Sequence, residues 1–387
     1  MALGISRQGQ LYTVAELTYG VTPTLLATHA LRHLSIEMPF DNKNRETVLY
    51  KKVSPGVTVD SRGDRRISAA FTLESLIWNS GVLNTLSEVD PILSAGFGTK
   101  TNITLSTTFS GTPTTTGGTI ASATGLAIGD FVLITCPDGK RRLRKVTTAS
   151  TSLVWTPALP SGQAPASGAA CKGVTTYKLS TLLSTSLSLA HYLKKTDNST
   201  SHIKRVIAGA GVDKLDLTFN ANAEPKLKAS GDAKNVLDAP AQPGGFTVVG
   251  VMPVSGISGD MQIGTTALKF LELGVSISNG LYWRKDEYGD ASAVELFRAK
   301  RREVSLSLKV HLEDETTLYD LAEAGTNAGL FMQHGYTEGR CMAIHAPQVE
   351  FKVPSTSDSD EVVDQDYTGM ALESADGAND ELTLALG

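Results

Sequence analysis

Apolar and polar residues alternate in several segments of the chain, and this pattern predicts β-strands. RRISAAFTL at 65–73 and RREVSLSLKV at 301–310 place apolar side chains at every second position, as half-buried strands do. Similar alternation predicts later strands at 185–190, 213–221, 341–353, 366–374 and 380–386. The chain is therefore predicted to be mainly β.

Helical spacing follows two of these strands. ESLIWNSGVLNTL at 74–86 comes after the first strand, and ETTLYDLAEAG at 315–325 comes after the second. In the second segment Leu318, Leu321 and Ala322 fall on one helix face, and the glycine at its end is a suitable stop signal. We expect one flanking α-helix at each place.

The chain also contains an internal repeat, which indicates two related units. ALRHLSIEMPFDN at 30–42 aligns with ALKFLELGVSISN at 267–279 at an offset of 237 residues. The strands at 65–73 and 301–310 align at the same offset. Each unit is thus predicted to contain a strand, a long polar excursion, a returning strand, a helix and further strands.

Residues 101–172 interrupt the first unit with a stretch rich in Thr, Gly, Ala and Pro. Asp138-Gly139 lies between the runs VLIT and RRLRKV and predicts a hairpin with a type I′ turn. We expect a small inserted β module. The predicted domains are a discontinuous first unit at 1–100 and 173–243, the insert at 101–172, and a second unit at 244–387.

The charge of −5 is divided unevenly along the chain. The insert has six basic and two acidic residues, a net charge of +4, so the remainder carries −9. An acidic body does not attract nucleic acid, because phosphate binding depends on Lys and Arg. For KRRLRK at 140–145 two interpretations stay open: a solvated strand edge, or contact with an anionic surface.

The cysteines and the hydropathy pattern bear on the cellular setting. Cys136, Cys171 and Cys341 cannot all pair within one chain, and their spacing matches no metal site. We interpret them as free thiols in a reducing compartment. The chain shows no export signal and no apolar run long enough to cross a bilayer, so we expect a soluble protein made in a cytoplasm.

No local motif indicates catalysis or a cofactor. AGAGV at 208–212 lacks the glycine pattern of a dinucleotide site and is interpreted as a flexible turn, and SGISG at 255–259 as a loop. His29 and His33 are expected in a strand without a third metal ligand. The acidic stretch at 357–366 lacks the glycine and terminal Glu of a calcium loop and is interpreted as solvated. We expect the protein to have no enzymatic activity and to bind no metal or cofactor.

AELTYGVTPT at 15–24, the order strand, excursion, strand, helix, and the closing NDELTLALG at 379–387 resemble one family. The chain resembles the tail tube proteins of long-tailed, siphovirus-type bacteriophages, in the form with two tube domains per chain, over residues 15–100 and 173–387. This resemblance implies tandem β-sandwich domains, each with a flanking helix, whose inner strands join into a continuous barrel around a channel. Single-domain relatives close rings of six chains, so two domains per chain imply trimeric rings with pseudo-sixfold symmetry.

The resemblance also implies contacts and partners. The excursions at 40–64 and 280–300 correspond to the family's long arm, which reaches the adjacent ring. The expected arm contacts are the charged residues Lys43, Arg45, Glu46, Lys51, Lys52, Arg284, Lys285, Asp286 and Glu287. Implied partners are further copies of the chain, the tape measure protein, tail terminator and distal tail proteins, and double-stranded DNA that passes without specific binding. The implied location is the virion tail, assembled in the bacterial cytoplasm, with the insert as an outer decoration and no membrane contact.

Two other function classes remain open on the sequence. A β-sandwich module that binds carbohydrate or a cell surface would need an aromatic-lined site, yet Trp78, Trp155 and Trp283 lie one per region. A hydrolase would need residues that converge only in space. Electron microscopy of the purified protein separates these classes from a ring-forming structural protein.

Overall fold

The computed structural model describes residues 4–41, 47–48, 61–62, 68–182, 185–195, 202–237, 241–248, 250–254, 256–285, 287, 290, 292–311, 317–357 and 364–387. Within these residues the protein contains many strands and two α-helices, so the prediction of a mainly β fold is confirmed.

The elements up to the insert include a 3-10 helix at Ala27–His29 and the helix α1 at Asp90–Phe97. The strands here are β1 Gly4–Ala15, β2 Ala30–Leu31, β3 Ser35–Glu37, β4 Phe40–Asp41, β5 Thr47–Val48, β6 Ser61–Arg62, β7 Ser68–Leu76 and β8 Gly98–Asn102. Those that follow are β9 Ser106–Ser110, β10 Gly117–Ile120, β11 Phe131–Thr135, β12 Arg141–Thr148, β13 Ser152–Thr156 and β14 Ala170–Gly173.

The rest of the chain contains the helix α2 at Thr317–Glu323. Its first strands are β15 Thr175–Leu179, β16 Leu187–Lys195, β17 His202–Ala210, β18 Lys214–Asn220, β19 Lys226–Ala233 and β20 Asn235–Leu237. Its later strands are β21 Gly259–Ile263, β22 Thr266–Leu268, β23 Glu272–Ser278, β24 Leu281–Arg284, β25 Glu295–Arg298, β26 Glu303–His311, β27 Ala328–His334, β28 Met342–Phe351, β29 Ser355–Ser357, β30 Asp364–Leu372 and β31 Thr383–Leu386.

The same strand order occurs twice in the structure. In the first repeat the back layer runs β2-β1-β16-β17 and the front layer runs β3-β7-β19-β18. In the second repeat the back layer runs β22-β21-β27-β28 and the front layer runs β23-β26-β30-β28. The long strand β28 takes part in both layers of the second repeat. In the first repeat two strands have the corresponding positions, β17 in the back layer and β18 in the front layer. The predicted strand, excursion and returning strand are thus found in both repeats, as β3 with β7 and β23 with β26.

The two front layers form one antiparallel sheet, because β18 of the first repeat pairs with β23 of the second. Their ladder runs from Lys214 opposite Ser278 to Asn220 opposite Glu272. We call the combined layer the front sheet. Its buried side packs on the back layers around one large apolar core that includes Phe71, Leu217 and Leu306.

Each polar excursion contains a short two-stranded ladder. In the first repeat β5 pairs with β6, and in the second β24 pairs with β25. The first ladder lies in the chain between β3 and β7, and the second lies between β23 and β26. Each excursion therefore leaves the front sheet after one strand and returns to form the neighbouring strand.

One of the two helix predictions is confirmed and the other is wrong. α2 lies where the spacing predicts it, with Leu318 and Ala322 buried. In the segment 74–86, however, the first three residues continue β7, and Gly81 and Asn84 have φ values of 80° and 61°, which are incompatible with a right-handed helix. The first helix begins later, at Asp90, and ends before Gly98, whose φ is 96°.

The insert folds as a closed six-stranded barrel with the order β10-β13-β12-β11-β14-β9. Its interior is apolar and includes Phe109, Val132 and Trp155. The predicted hairpin is present between β11 and β12, but its turn is not type I′. Only Gly139 has a positive φ, and its N–H donates to the Cys136 carbonyl at 3.0 Å, as in a type I turn followed by a left-handed glycine.

The barrel is attached through a hairpin formed by β8 and β15, which flank it in sequence. β15 also pairs with β31, from Thr175 opposite Leu386 to Lys178 opposite Thr383. β31 in turn pairs with β28. A hairpin that follows α1 of the first repeat therefore extends the back layer of the second repeat.

The two back layers have different covers on their outer sides. In the first repeat Phe246 packs edge-to-face on Tyr12 with 5.7 Å between ring centroids, and the Tyr12 hydroxyl donates to the Gly245 carbonyl at 2.7 Å. In the second repeat Phe331 lies in an apolar cluster with Leu133 and Leu143 of the barrel. The barrel therefore covers a surface that corresponds to the one covered by the segment 241–248 in the first repeat.

Candidate functional site

The solvent-facing side of the front sheet is a regular polar surface. On β26, Val304, Leu306 and Leu308 are buried, while Ser305 and Ser307 between them face solvent. The register is in phase across the sheet, because Ser305 lies opposite Ser276 on β23. This alternation is what the sequence predicts for half-buried strands.

The exposed side of the front sheet encloses a depression of about 860 Å³, lined by residues of seven neighbouring strands from β7 to β28. We call it the concave face. Its centre is formed by short side chains, including Thr218, Ser276 and Thr368. At Gly274 a Cβ would lie 2.4 Å from Ser307 Oγ, so a larger residue would have to displace that serine. The middle of the face is therefore smooth and hydroxyl-rich.

Carboxylates outnumber amines on the concave face and its margins in the described part of the chain. Strand register assigns nine carboxylates to it: Glu37, Glu74, Asp216, Asp232, Glu272, Glu303, Glu350, Asp364 and Asp366. The same register assigns five amines: Lys214, Lys226, Lys228, Lys309 and Lys352. The formal charge is thus −4. A net negative field at the face repels other anions.

Opposite charges face one another across adjacent strands of this surface. Lys228 lies between Glu74 on β7 and Asp216 on β18. Near one end, Asp364 is 3.1 Å from Lys309 Nζ and 2.8 Å from His311 Nδ1. Hydrogen bonds from Lys309 and then His311 lower the pKa of Asp364, and the bond to Asp364 raises the pKa of Lys309. Most of the basic groups therefore already have acidic neighbours.

The front sheet ends in short strands on both sides. β3 and β4 pair with β7 at one end, and β29 pairs with β30 at the other, beside the last residues of β28. The Leu34 N–H donates to the Glu74 carbonyl at 2.8 Å. The Ala70 N–H of β7 donates to the Pro39 carbonyl at 3.2 Å, and every second residue of β7 turns its backbone groups to the same edge, so Glu37, which lies opposite Thr72, exchanges hydrogen bonds with β7. Within the described residues the N–H of Ile36 therefore points away from β7 and is a backbone donor available to another strand.

The described arm residues form ion pairs within the chain. Arg284 contacts Glu295 at 2.9 Å and Glu287 at 2.6 Å, and Lys285 contacts Asp232 of the concave face at 2.7 Å. Their predicted role between rings stays a prediction. Six further predicted arm residues lie outside the described residues: Lys43, Arg45, Glu46, Lys51, Lys52 and Asp286.

The interpretation of KRRLRK as a solvated edge is wrong. Arg142, Arg144 and Lys145 are buried, because β12 packs against the back layer of the second repeat. The side chain of Gln333 joins the two surfaces: its oxygen accepts the Leu143 N–H at 2.9 Å, and its nitrogen donates to a barrel carbonyl at 2.8 Å.

Acidic residues of the body meet this basic strand. Glu338 pairs with Arg141 and, at 2.9 Å, with Lys172. Lys145 lies 3.6 Å from Asp380. The charge difference between insert and body predicted from the sequence is therefore used in docking the barrel. The expected outer decoration is fixed to the body along one side.

Arg144 is fully buried at this interface, and no acidic partner is within ion-pair distance in the described part of the chain. Its guanidinium lies 4.8 Å from the Phe331 ring centroid and donates to the Leu143 carbonyl at 2.7 Å, while Nε and Nη2 lack acceptors. Burial lowers the pKa of Arg144 to about 10. Arg144 therefore contributes to the barrel interface through its contacts with Phe331 and the Leu143 carbonyl, and not through an ion pair.

Two predicted loop or strand segments differ from the sequence interpretation. In AGAGV, Ala208 and Ala210 are buried in β17, so this is a strand end and not a flexible turn. His29 ends the 3-10 helix, and His33 lies outside the strands, 5.6 Å from the His191 ring. Residues 256–258 of SGISG form a loop as predicted, before β21 begins at Gly259, and most of the acidic stretch, 358–363, lies outside the described residues.

No metal-binding group of three His, Cys, Asp or Glu side chains occurs among the residues that the structure describes. The three cysteines are free, as predicted, and all three are buried. Of the tryptophans, Trp155 and Trp283 are buried and Trp78 lies under the Arg32 guanidinium at 3.4 Å, so none offers an open stacking surface. In the described segments, no helix has the length and apolar character needed to span a membrane.

The concave face and the buried barrel interface are two functional features that the sequence patterns do not predict. A signal for the first was present, since the polar positions of the repeated strands are mostly Ser, Thr and charged residues at a fixed spacing. For the second there was none, because Arg142 and its neighbours meet residues more than a hundred positions away.

Comparison with known proteins identifies the family. A search of curated proteins finds no match. The sequence model of the phage tail tube protein family matches residues 6–371, which is nearly the whole chain. Together with the mainly β fold and the doubled strand order, this match places the protein as a structural component of the virion tail: the chain belongs to the phage tail tube protein family.

Proposed function

We propose that the chain forms the tube of a siphovirus-type tail as trimeric rings, with two ring positions in each chain. The observation that carries this proposal is the identical strand order of the two repeats, fused by the β18–β23 ladder into one concave sheet. If each repeat occupies one of six positions, three chains complete a ring with pseudo-sixfold symmetry.

The edges of the front sheet support head-to-tail closure of such a ring. The sheet has eight strand positions, from β3 to the end occupied by β28 and β29, and every neighbour is antiparallel. With an even number of positions the two edge strands run in opposite directions. Joining one edge of a chain to the other edge of its neighbour therefore continues the antiparallel ladder around the ring.

In this arrangement the concave face lines the channel through which the genome passes. Its short polar side chains leave the passage smooth, and its formal charge of −4 keeps phosphates from binding. The few lysines near the centre have acidic neighbours across the strands, so counterion release by DNA would contribute little. Duplex DNA is expected to pass without specific binding.

The remaining partners follow from family membership and are part of the proposal. Stacked rings would enclose the tape measure protein and end at tail terminator and distal tail proteins. Assembly would take place in the cytoplasm of the bacterial host, and the arms at 40–64 and 280–300 would contact the next ring.

Electron microscopy of the purified chain tests the proposal. We expect rings or tubes with threefold symmetry and a central channel, and no retention of duplex DNA by them in low-salt filter binding. A dispersed monomer that binds glycans would contradict the proposal and favour the alternative, a carbohydrate- or cell-surface-binding module of a phage particle.

A further inference from the structure

The hairpin β24–β25 carries an exposed aromatic pair. Tyr282 and Phe297 lie directly opposite each other in the ladder, with 5.5 Å between ring centroids, and are 50% and 39% exposed. Aromatic side chains that are exposed to water in pairs are typical of protein contact sites, because their burial contributes much of the binding energy.

The opposite face of the same hairpin is fixed to the body. Trp283 is buried, and a Cβ at Gly211 would lie 2.9 Å from its ring and 2.7 Å from Leu296. The absence of a side chain at Gly211 thus allows the hairpin to pack closely. The aromatic pair is presented by a supported element, so little conformational entropy is lost when it binds.

The arm charges are already compensated within the chain. Arg284 pairs with Glu295 and Glu287, and Lys285 pairs with Asp232. Exposed ion pairs of this kind contribute little free energy, and a partner would gain little by replacing them. The apolar pair is therefore the stronger candidate for the contact energy.

The hairpin leaves the front sheet at one end of its strands. It follows Ser278, which lies opposite Lys214 in the β18–β23 ladder. The other end of this ladder is Asn220 opposite Glu272. Any surface close to Asn220 consequently lies at the end of the sheet away from the hairpin.

Three exposed aliphatic side chains, Val82, Met252 and Ile257, lie at that other end, with exposures of 62%, 56% and 80%. Gly256, beside Ile257, is so close to Asn220 that a Cβ would lie 2.3 Å from its carbonyl oxygen. The bridge between Asn79 and Val251 attaches the other two residues to the chain that follows β7.

We propose that Tyr282 and Phe297 of one chain pack on the aliphatic end surface formed by Val82, Met252 and Ile257 of a second copy in the next ring. Different surfaces at opposite ends give a heterologous contact, which does not close on itself and therefore propagates a filament along the strand direction. This inference rests on the proposed function. It assigns ring stacking to apolar burial and not to the arm charges.

A stacking assay compares the double variant Tyr282→Ser, Phe297→Ser with Arg284→Glu, Lys285→Glu. We expect the first to form rings that fail to stack, reducing tube length in micrographs at least tenfold, and the second to shorten tubes much less. Ile128→Ser, at an apolar position on the barrel that is 69% exposed, is the control and should leave tubes unchanged. Normal tubes from the aromatic double variant would overturn the inference.

Disulfide trapping tests the pairing directly. Phe297→Cys and Ile257→Cys chains are purified separately, mixed under assembly conditions and oxidised. The native thiols should stay silent, because burial raises the pKa of Cys171 and Cys341 to about 12 and also raises that of Cys136. We expect a reducible dimer from the mixture and none from either chain alone.

The outcomes of these experiments are distinguishable. A dimer from Phe297→Cys alone would indicate a self-complementary contact and overturn the inference, as would stacked rings without cross-linking. If the unaltered chain forms no rings at all, the proposed function fails and the inference falls with it. Rings that form and stack through another surface would refute only the inference.

Discussion

At the scale of single residues, Glu16 is a carboxylate enclosed by hydrogen-bond donors. Its oxygens accept from the hydroxyls of Ser186 at 2.6 Å and Ser188 at 2.5 Å, and from the backbone N–H groups of Gly209 and Gly20 at 2.8 Å. It joins the end of β1 to β16 and β17. A buried charge with this many donors fixes the geometry of its surroundings.

Replacing Glu16 with Ala should therefore reduce the free energy of unfolding by about 3 kcal/mol, since the enclosed donors lose their acceptor. Leu17→Ala is the control, because this neighbouring side chain is 99% exposed and should change stability by less than about 0.5 kcal/mol. Urea unfolding monitored by circular dichroism provides the comparison. Equal stability of the two variants would contradict this account of Glu16.

His345 on β28 couples stability to pH. Burial, together with the positive charge of Lys145, lowers the pKa of its imidazole to about 3, although Asp380 acts in the opposite direction. Between pH 6.5 and 3 the unfolded chain therefore binds a proton that the folded chain does not. Stability should fall with decreasing pH across this window, by at most about 1.4 kcal/mol per pH unit from this residue.

His345→Leu should make the decline in unfolding free energy between about pH 6 and pH 4 shallower by up to that amount. The control is Thr383→Val, opposite His345 on β31, which alters packing at the same place without removing a titrating group. Denaturant unfolding across the pH range measures the slopes. If His345→Leu and the unaltered protein have the same slope, His345 is not the group responsible.

At the scale of elements, the barrel is a cover for the second repeat. Its docked side combines an apolar cluster that includes Leu133 and Phe331 with the ion pairs of Glu338. In the first repeat the segment 241–248 has the corresponding position, with Phe246 packed on Tyr12. An insert that covers an apolar sheet is part of the fold and not only a decoration.

Leu133→Asp places a carboxylate in this cluster and should release the barrel from the body without unfolding it, because the side chain points away from the barrel interior. We expect faster proteolysis in the β8–β15 hairpin and greater binding of a hydrophobic dye. Ile128→Asp, at an exposed barrel position, should behave like the unaltered protein. Unchanged proteolysis of Leu133→Asp would argue against the barrel as a cover.

The sequence predicts the strands and helices better than the contacts that those elements make with distant parts of the chain. Alternation and the constant offset locate β7, β23 and β26, because a half-buried strand needs nothing beyond its own pattern. The spacing at 74–86 misleads, since a glycine and an asparagine there adopt positive φ. Burial of Arg144 is set by Phe331 and other residues distant in the chain, and local patterns contain no information about such contacts.

The concave face illustrates the same limit for the site. Which residues of β26 lie on the polar side follows from alternation alone. That this side is concave, and that Lys228 lies between Glu74 and Asp216, depends on the register of strands separated by long segments. Sequence analysis therefore predicted a building block without local catalytic motifs, but not the surface that would line its channel.

At the scale of the whole molecule, closure of a ring should depend on the free edge at β3. Ile36→Pro removes an N–H that points away from β7, while the backbone bonds of Glu37 to β7 remain. We expect a folded chain that no longer closes rings. Ile36→Ala keeps the donor and should still form them.

Size-exclusion chromatography with light scattering distinguishes the two Ile36 variants, and circular dichroism checks that both are folded. If Ile36→Pro assembles as well as Ile36→Ala, ring closure does not use this edge. Such a result would not contradict the description of the concave sheet, because β3 is only its outermost strand on that side.

The two repeats are connected by two separate strand ladders. One is the β18–β23 ladder in the front sheet, and the other is the β8–β15 hairpin, which follows α1 and pairs with β31 at the back. Two repeats joined by one ladder could rotate about it as about a hinge. Two ladders in different layers resist such rotation in either direction. If each repeat occupies one ring position, as proposed, the angle between the two positions of a chain is set during folding, and only the contacts between chains, half of those around a ring, would remain able to flex.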